Sequence, residues 1–451
     1  MSQRLWFLAL ACFTAASVHA EPVPVHEYKL DNGMQILIKV DRRAPVVVSQ
    51  VWYKVGSSYE YSGVTGVSHV LEHMMFKGTS NLGPNEFSRI ISANGGRENA
   101  FTSRDYTAYY QQLEKSRLEV SFKLESDRMR NLKLDPTEFA KEINVVMEER
   151  RLRTEDDPGS ITAEQFNAVA YLNSPYRNPV IGWMNDLQNM TVSDLDEWYE
   201  RWYAPNNATL VVVGDVDPQA TFELAKKYFG PLKPSDIPTT KPRQEVEQRG
   251  MRRIMVKAPA ELPVLIMGFP APGVRNATED WEPYALEVLS YVLDGGDSAR
   301  FSTELIRGSQ VAVGVSTGYN MYSRHDDLIS FSGTPSPERS VADLENAILE
   351  QIKRIQETPP TTQELDRVKA QIVASDVYQR DSVFYQAQQL GSLVSSGLDW
   401  RLHNQYVDRI RAVTAEQVQA VARKYLVMDR MTVAQLDPQP LNGPDPAAAH
   451  P

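Results

Sequence analysis

The run His69-Val-Leu-Glu72-His73 constrains this chain more than any other segment. Helical positions i and i+4 share a face, so a helix here sets two imidazoles one turn apart, and Glu72, three residues after His69, reaches the same face. Two neutral imidazoles on one face suit Zn²⁺, and a carboxylate beside them that is not itself a ligand can take a proton from a metal-bound water. The order H-x-x-E-H inverts the commoner H-E-x-x-H helix of zinc hydrolases. The plain alternative is a surface helix with two incidental histidines, and what separates the two readings is a third ligand.

The other histidines do not supply one. His19 falls in an apolar N-terminal segment, His26 and His450 lie near the termini, and His325 and His403 belong to the distant second half. A carboxylate is the better candidate. Glu142-Ile-Asn-Val-Val-Met-Glu148-Glu149 reads as a helix, because Ile143, Val146 and Met147 follow the helical period. Glu142 and Glu149 are two turns apart on one face. Two acids held together beside apolar neighbours call for a compensating cation; the alternative is an ordinary solvated acidic face.

With these segments in view, the chain resembles the pitrilysin family of zinc peptidases. The resemblance rests on Gly66 and His69-Val-Leu-Glu72-His73 followed by Phe76-Lys77-Gly78-Thr79, on Glu142 to Glu149, and on Gly95-Gly96-Arg97-Glu98-Asn99-Ala100-Phe101-Thr102-Ser103. Tyr203-Ala204-Pro205-Asn206-Asn207 before a valine-rich strand and Gly214-Asp215-Val216 adds to it, and the likeness spans most of residues 25–440. It implies one Zn²⁺ per chain on His69, His73 and Glu149, with Glu148 as the alternative register, Glu72 as the catalytic base and Glu142 supporting the site. It also implies an edge strand on which Asn99 and Ala100 bind substrate backbone, and a metalloendopeptidase acting on peptides or unfolded polypeptides. The implied fold is α+β: two duplicated domains, each a mainly antiparallel sheet backed by helices.

The second half departs from the family at one point. Family members commonly add an arginine and, seven residues later, a tyrosine to the substrate site, from the second half or a partner subunit. Arg307 fits the arginine, but the tyrosine position is Gly314, and Tyr319 and Tyr322 are out of register. Some bacterial relatives divide the work between a zinc-bearing chain and a similar chain with the Arg/Tyr pair. The resemblance therefore implies a catalytic subunit with a paralogous partner, or else a homodimer; a non-catalytic scaffold subunit is the alternative function.

Length fits this layout. A chain of 451 residues is too long for one ordinary core and suits two domains of about 200 residues. The expected divisions are a signal peptide over 1–20, a zinc-binding domain over 21–232, a Pro-containing linker over 233–250, a second domain of the same fold over 251–438 and a disordered tail over 439–451. Mixed strand and helix signals without strict βαβ alternation point to α+β rather than a Rossmann-type sheet. Thr191 and Thr414 each open a helix that leads to a strand and then to an Asp-Pro pair, Asp217-Pro218 and Asp437-Pro438, which suggests an internal duplication.

The N-terminus sets the compartment. Arg4, the apolar run Leu5 to Val18 and Val18-His19-Ala20 before Glu21 form an export signal, so a cleaved, periplasmic chain is expected, with an uncleaved anchor as the alternative. Cys12, the only cysteine, lies inside that signal, which leaves the mature chain without thiol chemistry or disulfides. No later run is long and apolar enough for a membrane span. The net charge of −11 and the lack of a basic block argue against a nucleic-acid partner.

Overall fold

In the computed structural model, which describes residues 24–241 and 243–441, the β-branched runs of the first half become one twisted sheet. Its strands are β1 (Val25–Lys29), β2 (Gln35–Val40), β3 (Val46–Tyr53), β4 (Arg97–Thr102), β5 (Thr107–Glu114) and β6 (Ala208–Gly214), in the order β1-β2-β6-β3-β5-β4. All neighbours run antiparallel except β2 and β6. β3 and β6 sit in the middle and are buried on both faces, as strands covered on both sides are, with Ser49 and Gln50 of β3 among the buried polar residues. β4 is an outer strand, paired only with β5, from Arg97↔Gln112 to Thr102↔Thr107.

The second half repeats the plan. Strands β7 (Arg252–Pro259), β8 (Leu265–Ala271), β9 (Ala312–Gly318), β10 (Asp327–Pro335) and β11 (Thr432–Gln439) form a sheet in the order β7-β11-β8-β10-β9, with β7 and β11 as the parallel pair and β9 outermost. The duplication shows best where each half closes. Helices Val192–Trp202 and Ala415–Tyr425 both start with a reciprocal capping box, Thr191 with Asp194 and Thr414 with Gln417. Each is followed by a single 3₁₀ turn and then by a central strand, β6 or β11. The Asp-Pro pairs then diverge. Asp217 caps the helix Pro218–Phe229, whereas Asp437-Pro438 lies within β11. Gln439, expected in the tail, is the last residue of β11, because the parallel ladder with β7 extends to Gln439↔Pro259. The expected signal peptide and the tail beyond residue 441 lie outside the described residues. Among the described residues no helix is long and apolar enough to cross a membrane.

The two halves are bound together by exchanging a helix. One face of the first sheet packs on its own helices around Val51, Tyr53, Val70, Leu71 and Phe122. Its other face, with Val48, Trp52, Val211 and Val213, is covered by Ala387, Leu390 and Val394 of helix Val383–Ser395 from the second half. The approach is so close that a Cβ on Gly391 would lie 2.1 Å from the Trp52 ring, so only glycine fits there. Reciprocally, Phe166 and Ala170 of helix Pro158–Ala170, from the first half, pack against Leu328 of β10 and Ala434 of β11. Arg252 of β7 donates to the carbonyls of Val169 and Ala170 at 2.9 and 2.8 Å, which satisfies the C-terminal end of that helix.

Candidate metal centre and active site

The H-x-x-E-H motif occupies an eight-residue helix, Val67–Met74. Val67, Val70, Leu71 and Met74 are buried on one face, and this leaves His69, Glu72 and His73 on the other. Isolated helices of this length are marginal, so the element depends on its ends and its packing. Buried Glu60 accepts the backbone N–H of Gly66 and Ser68 at 2.7 and 2.9 Å, which places an acid on the free donors of the first turn. Gly66, φ +89°, faces Gly182, φ +88°; a Cβ on Gly66 would meet the Ile181 carbonyl oxygen at 2.6 Å. The glycine before the motif is thus required both by its φ and by the close approach of a second chain segment.

Helix Pro136–Arg150 packs beside the motif helix, capped by Asp135 and started by Pro136, and it continues without a break into a π-helical turn, Arg151–Glu155. It brings Glu149 to the histidines. Glu149 Oε2 lies 3.8 Å from His69 Nε2 and 3.4 Å from His73 Nε2. One ligand atom from each of the three residues falls within 4.8 Å of the others, the only such group among the described residues. A tetrahedral zinc with bonds of about 2.0–2.2 Å holds neighbouring ligand atoms about 3.3–3.6 Å apart, so the His, His, carboxylate set fits that ion in chemistry; the His73–Glu149 pair already has that spacing and the rest of the group is somewhat wider. Glu148 points away; its side chain is 64% exposed and pairs with Arg151.

The surrounding contacts orient the set. His73 turns Nε2 toward Glu149, and its Nδ1 donates to Glu142 Oε2 at 3.3 Å, while Glu142 Oε1 takes a bond from Lys77 Nζ at 2.7 Å. An imidazole backed by a carboxylate is the usual way a ligating histidine is held in one tautomer. Glu149 Oε1, the oxygen turned from the histidines, pairs with Arg153 at 2.5 Å. Burial, reinforced by His73 and Arg153, pulls the His69 imidazole down to about 3, so it is neutral and able to ligate at any ordinary pH. Its buried Nδ1 meets no protein partner among the described residues.

Glu72 is not part of the ligand trio. Burial pushes its carboxyl up, against the downward pull of a Thr102 hydrogen bond and of His73. Thr102 Oγ1 donates to Glu72 Oε2 at 2.5 Å. His69, Glu72, His73 and Glu149 open on a cavity of about 600 Å³ whose wall includes Asn99, Ala100 and Thr102 of β4. The free edge of β4 therefore runs along the group of titratable side chains.

Arg307 is not brought to this cavity within one chain. It lies in a π-helical segment, Phe301–Gly308, and donates to the Asp297 carbonyl; it lines no part of the cavity around His69. Gly314 sits on the outer strand β9, opposite Thr334, with open space where a Cβ would go. Tyr319 Oη donates to the Pro272 carbonyl at 2.5 Å and Tyr322 lines a separate cavity of the second half, so both are engaged elsewhere. Three residues that the motif pattern does not mark also touch the site: Thr102, Lys77 and Arg153. Arg153 was within reach of sequence reasoning, four residues after Glu149 on a helix.

Comparison with known proteins gives a consistent setting. The family profile described as "Insulinase (Peptidase family M16)" matches residues 35–183, and that described as "Peptidase M16 inactive domain" matches residues 189–372. The chain is 35% identical over 361 residues to the zinc protease PqqE of Helicobacter pylori, covering 78% of this chain and 80% of that protein. The crystal structure of a protease from Helicobacter pylori superposes with a TM-score of 0.88 at 30% identity, over 92% of this chain and all of that one. The periplasmic protease PqqL of Escherichia coli shares the fold, with a TM-score of 0.74 at 19% identity; the match covers 94% of this chain and 49% of PqqL.

Proposed function

Because the chain belongs to peptidase family M16, the insulinase or pitrilysin family, we propose that it is a zinc metalloendopeptidase. In this reading it cleaves peptides or unfolded polypeptides, with His69, His73 and Glu149 as zinc ligands and Glu72 as general base. One observation carries the reading: three ligand-type atoms within 4.8 Å of one another share a cavity with a separate, partly buried carboxylate and a free strand edge.

Zinc bound by the three side chains supplies a Lewis acid that polarises the peptide carbonyl and acidifies water. The chain's own residues do the rest. Asn99 and Ala100 hold the substrate by adding its backbone to β4, a mode that takes varied side chains because the ladder uses main-chain groups. Glu72, beside the ligands but free of them, removes the proton from the attacking water and returns it to the leaving amine. Glu142, with Lys77 behind it, holds His73 in the tautomer that leaves Nε2 free to ligate.

The second half supports a division of labour. Acyl transfer uses donors aimed at the developing oxyanion, and Gly314 has no side chain to give. The chain is therefore read as the catalytic subunit of a pair, completed by a similar chain that carries the Arg/Tyr set, and acting in the periplasm after export. The match of residues 189–372 to an inactive domain agrees with a second half that shapes the site without carrying it. The same match is what a scaffold role has in its favour.

Replacement of Glu72 by glutamine tests the reading. Zinc content should stay at one per chain while hydrolysis of an unstructured peptide falls about 10²–10⁴-fold. Substantial turnover in a zinc-replete Glu72→Gln protein would remove the base. Absence of turnover in the wild-type chain, with or without its partner, would favour the scaffold.

A further inference from the structure

Thr102 is the last residue of β4, the strand along whose edge the substrate is proposed to lie. Side chains alternate along a strand, so Thr102 shares a face with Ala100, and both border the same cavity. Its hydroxyl donates to Glu72 Oε2 at 2.5 Å, and among the described residues this is the one hydrogen bond the Glu72 carboxylate receives. A glutamate head swings about three side-chain torsions, and the helix it grows from here is only eight residues long. Among the described residues no other hydrogen bond holds either oxygen of that carboxylate.

From this geometry we infer that Thr102 is a positioning residue for the peptidase reaction. It clamps one oxygen of Glu72, leaves the other to exchange a proton with the attacking water, and ties the base to the strand that holds the substrate backbone. The inference rests on Glu72 as general base. In the forward step the water O–H bond breaks, its oxygen bonds to the peptide carbonyl carbon, and the proton goes to Oε1. When the C–N bond breaks, that proton moves from Oε1 to the departing nitrogen. Oε2 keeps the Thr102 hydrogen bond throughout, so the carboxylate does not reorient between the two transfers. Because Ala100 and Thr102 are two residues apart on one rigid strand, a peptide paired at Ala100 is set in a constant relation to the base. Threonine suits the post better than serine, since its branched Cβ restricts χ1 and favours the strand.

The test compares Thr102→Val, which keeps size and branching but has no donor, with Thr102→Ser, which keeps the donor, beside Glu72→Gln. All are assayed in the assembly that hydrolyses an unstructured peptide, chain alone or with partner, and zinc content is measured for each. In Thr102→Val, kcat should fall by about 10²-fold, the scale of a misplaced catalytic group, while KM changes little and zinc remains at the wild-type level. Thr102→Ser should recover most of the loss. If Thr102→Val does not fold, Thr102→Ala carries the same expectation with no added bulk. A silent Glu72→Gln beside a Thr102→Val of wild-type kcat, or of raised KM alone, overturns the positioning role and leaves the base in place. Turnover in Glu72→Gln overturns the base itself, and the clamp with it.

Discussion

The two halves of this protein share a sheet order and part company on the first helix after the strand that carries it. β2-β6-β3-β5-β4 and β7-β11-β8-β10-β9 repeat one plan, down to a single parallel pair and a free outer strand in each. After β3 comes the short helix Val67–Met74, one face of which opens to a cavity. After β8 comes Glu282–Asp294, thirteen residues long and buried nearly all round by Tyr284, Leu286, Leu289 and Val292 among others. It carries no imidazole. Its Glu287 lines a cavity, and among the described residues its carboxylate takes one hydrogen bond, from the Tyr406 hydroxyl at 3.4 Å. The outer strands differ likewise. β4 ends in a threonine that bonds to Glu72, and β9 has Gly314 beside empty space. The architecture is common to both halves, and among the described residues the one His, His, Glu group lies on the first.

The sharpest way to break this comparison is to remove the metal from the half said to own it. Glu149→Gln should bring zinc from one per chain toward none, and Glu148→Gln should leave it unchanged, because only Glu149 turns an oxygen to both imidazoles. Metal analysis of the two purified variants decides; zinc lost only from Glu148→Gln would shift the register by one residue. The next largest effect concerns the half said to be idle. If Gly314 marks a missing oxyanion donor, the isolated chain should hold zinc yet run about 10²–10³-fold below its activity with a paralogous partner. Gly314→Tyr tests the same point within one chain, since nothing obstructs a Cβ there. Peptide hydrolysis by the chain alone at full rate, with no gain from any partner or from Gly314→Tyr, would end the division of labour.

How much of this was legible in the sequence follows from the range of each interaction. The motif helix was readable because ligand spacing and helical period coincide within five residues. The acid pair was readable as a shared face, since Glu142 and Glu149 are two turns apart, and Glu148 was separable only once the helix was docked. The capping boxes at Thr191 and Thr414 announced the duplication because caps are local. The helix exchange was not readable: an apolar stripe on Val383–Ser395 says that it is buried, and not that its cover is Trp52 in the other half. Thr102 escaped for the same reason. A hydroxyl thirty residues from its acceptor leaves no periodic mark, although Thr102 lies in the same run as Asn99 and Ala100. Arg307 shows the converse, a residue matched by register whose side chain, within one chain, lies away from the site.

A smaller effect probes the support behind the ligands, which the second half lacks. Lys77→Met removes the ammonium that holds Glu142 and keeps the aliphatic stem. Zinc affinity, measured by competition with a chelating dye, should weaken about 10–100-fold, as for other groups that orient a ligating histidine. Lys77→Arg should keep most of it. An unchanged affinity in Lys77→Met would mean that Glu142 orients His73 unaided.

The smallest expected effect asks whether the carboxylate of the second half is as idle as its surroundings suggest. Burial pushes Glu287 up to about 7 from its ordinary 4.5, and the Tyr406 hydrogen bond offsets this only in part. A carboxyl raised on folding favours the folded state while it is protonated. That stability is fully present below about 4.5 and is lost as pH rises through about 7. Glu287→Gln keeps the uncharged form at every pH. Between pH 6 and 8.5 the wild-type Tm should therefore drop by a few degrees more than that of Glu287→Gln, with the variant the more stable of the two at the alkaline end. Zinc content and peptide hydrolysis should be the same in both, because Glu287 touches no part of the site on the first sheet. Parallel Tm curves would mean that folding does not raise the Glu287 carboxyl.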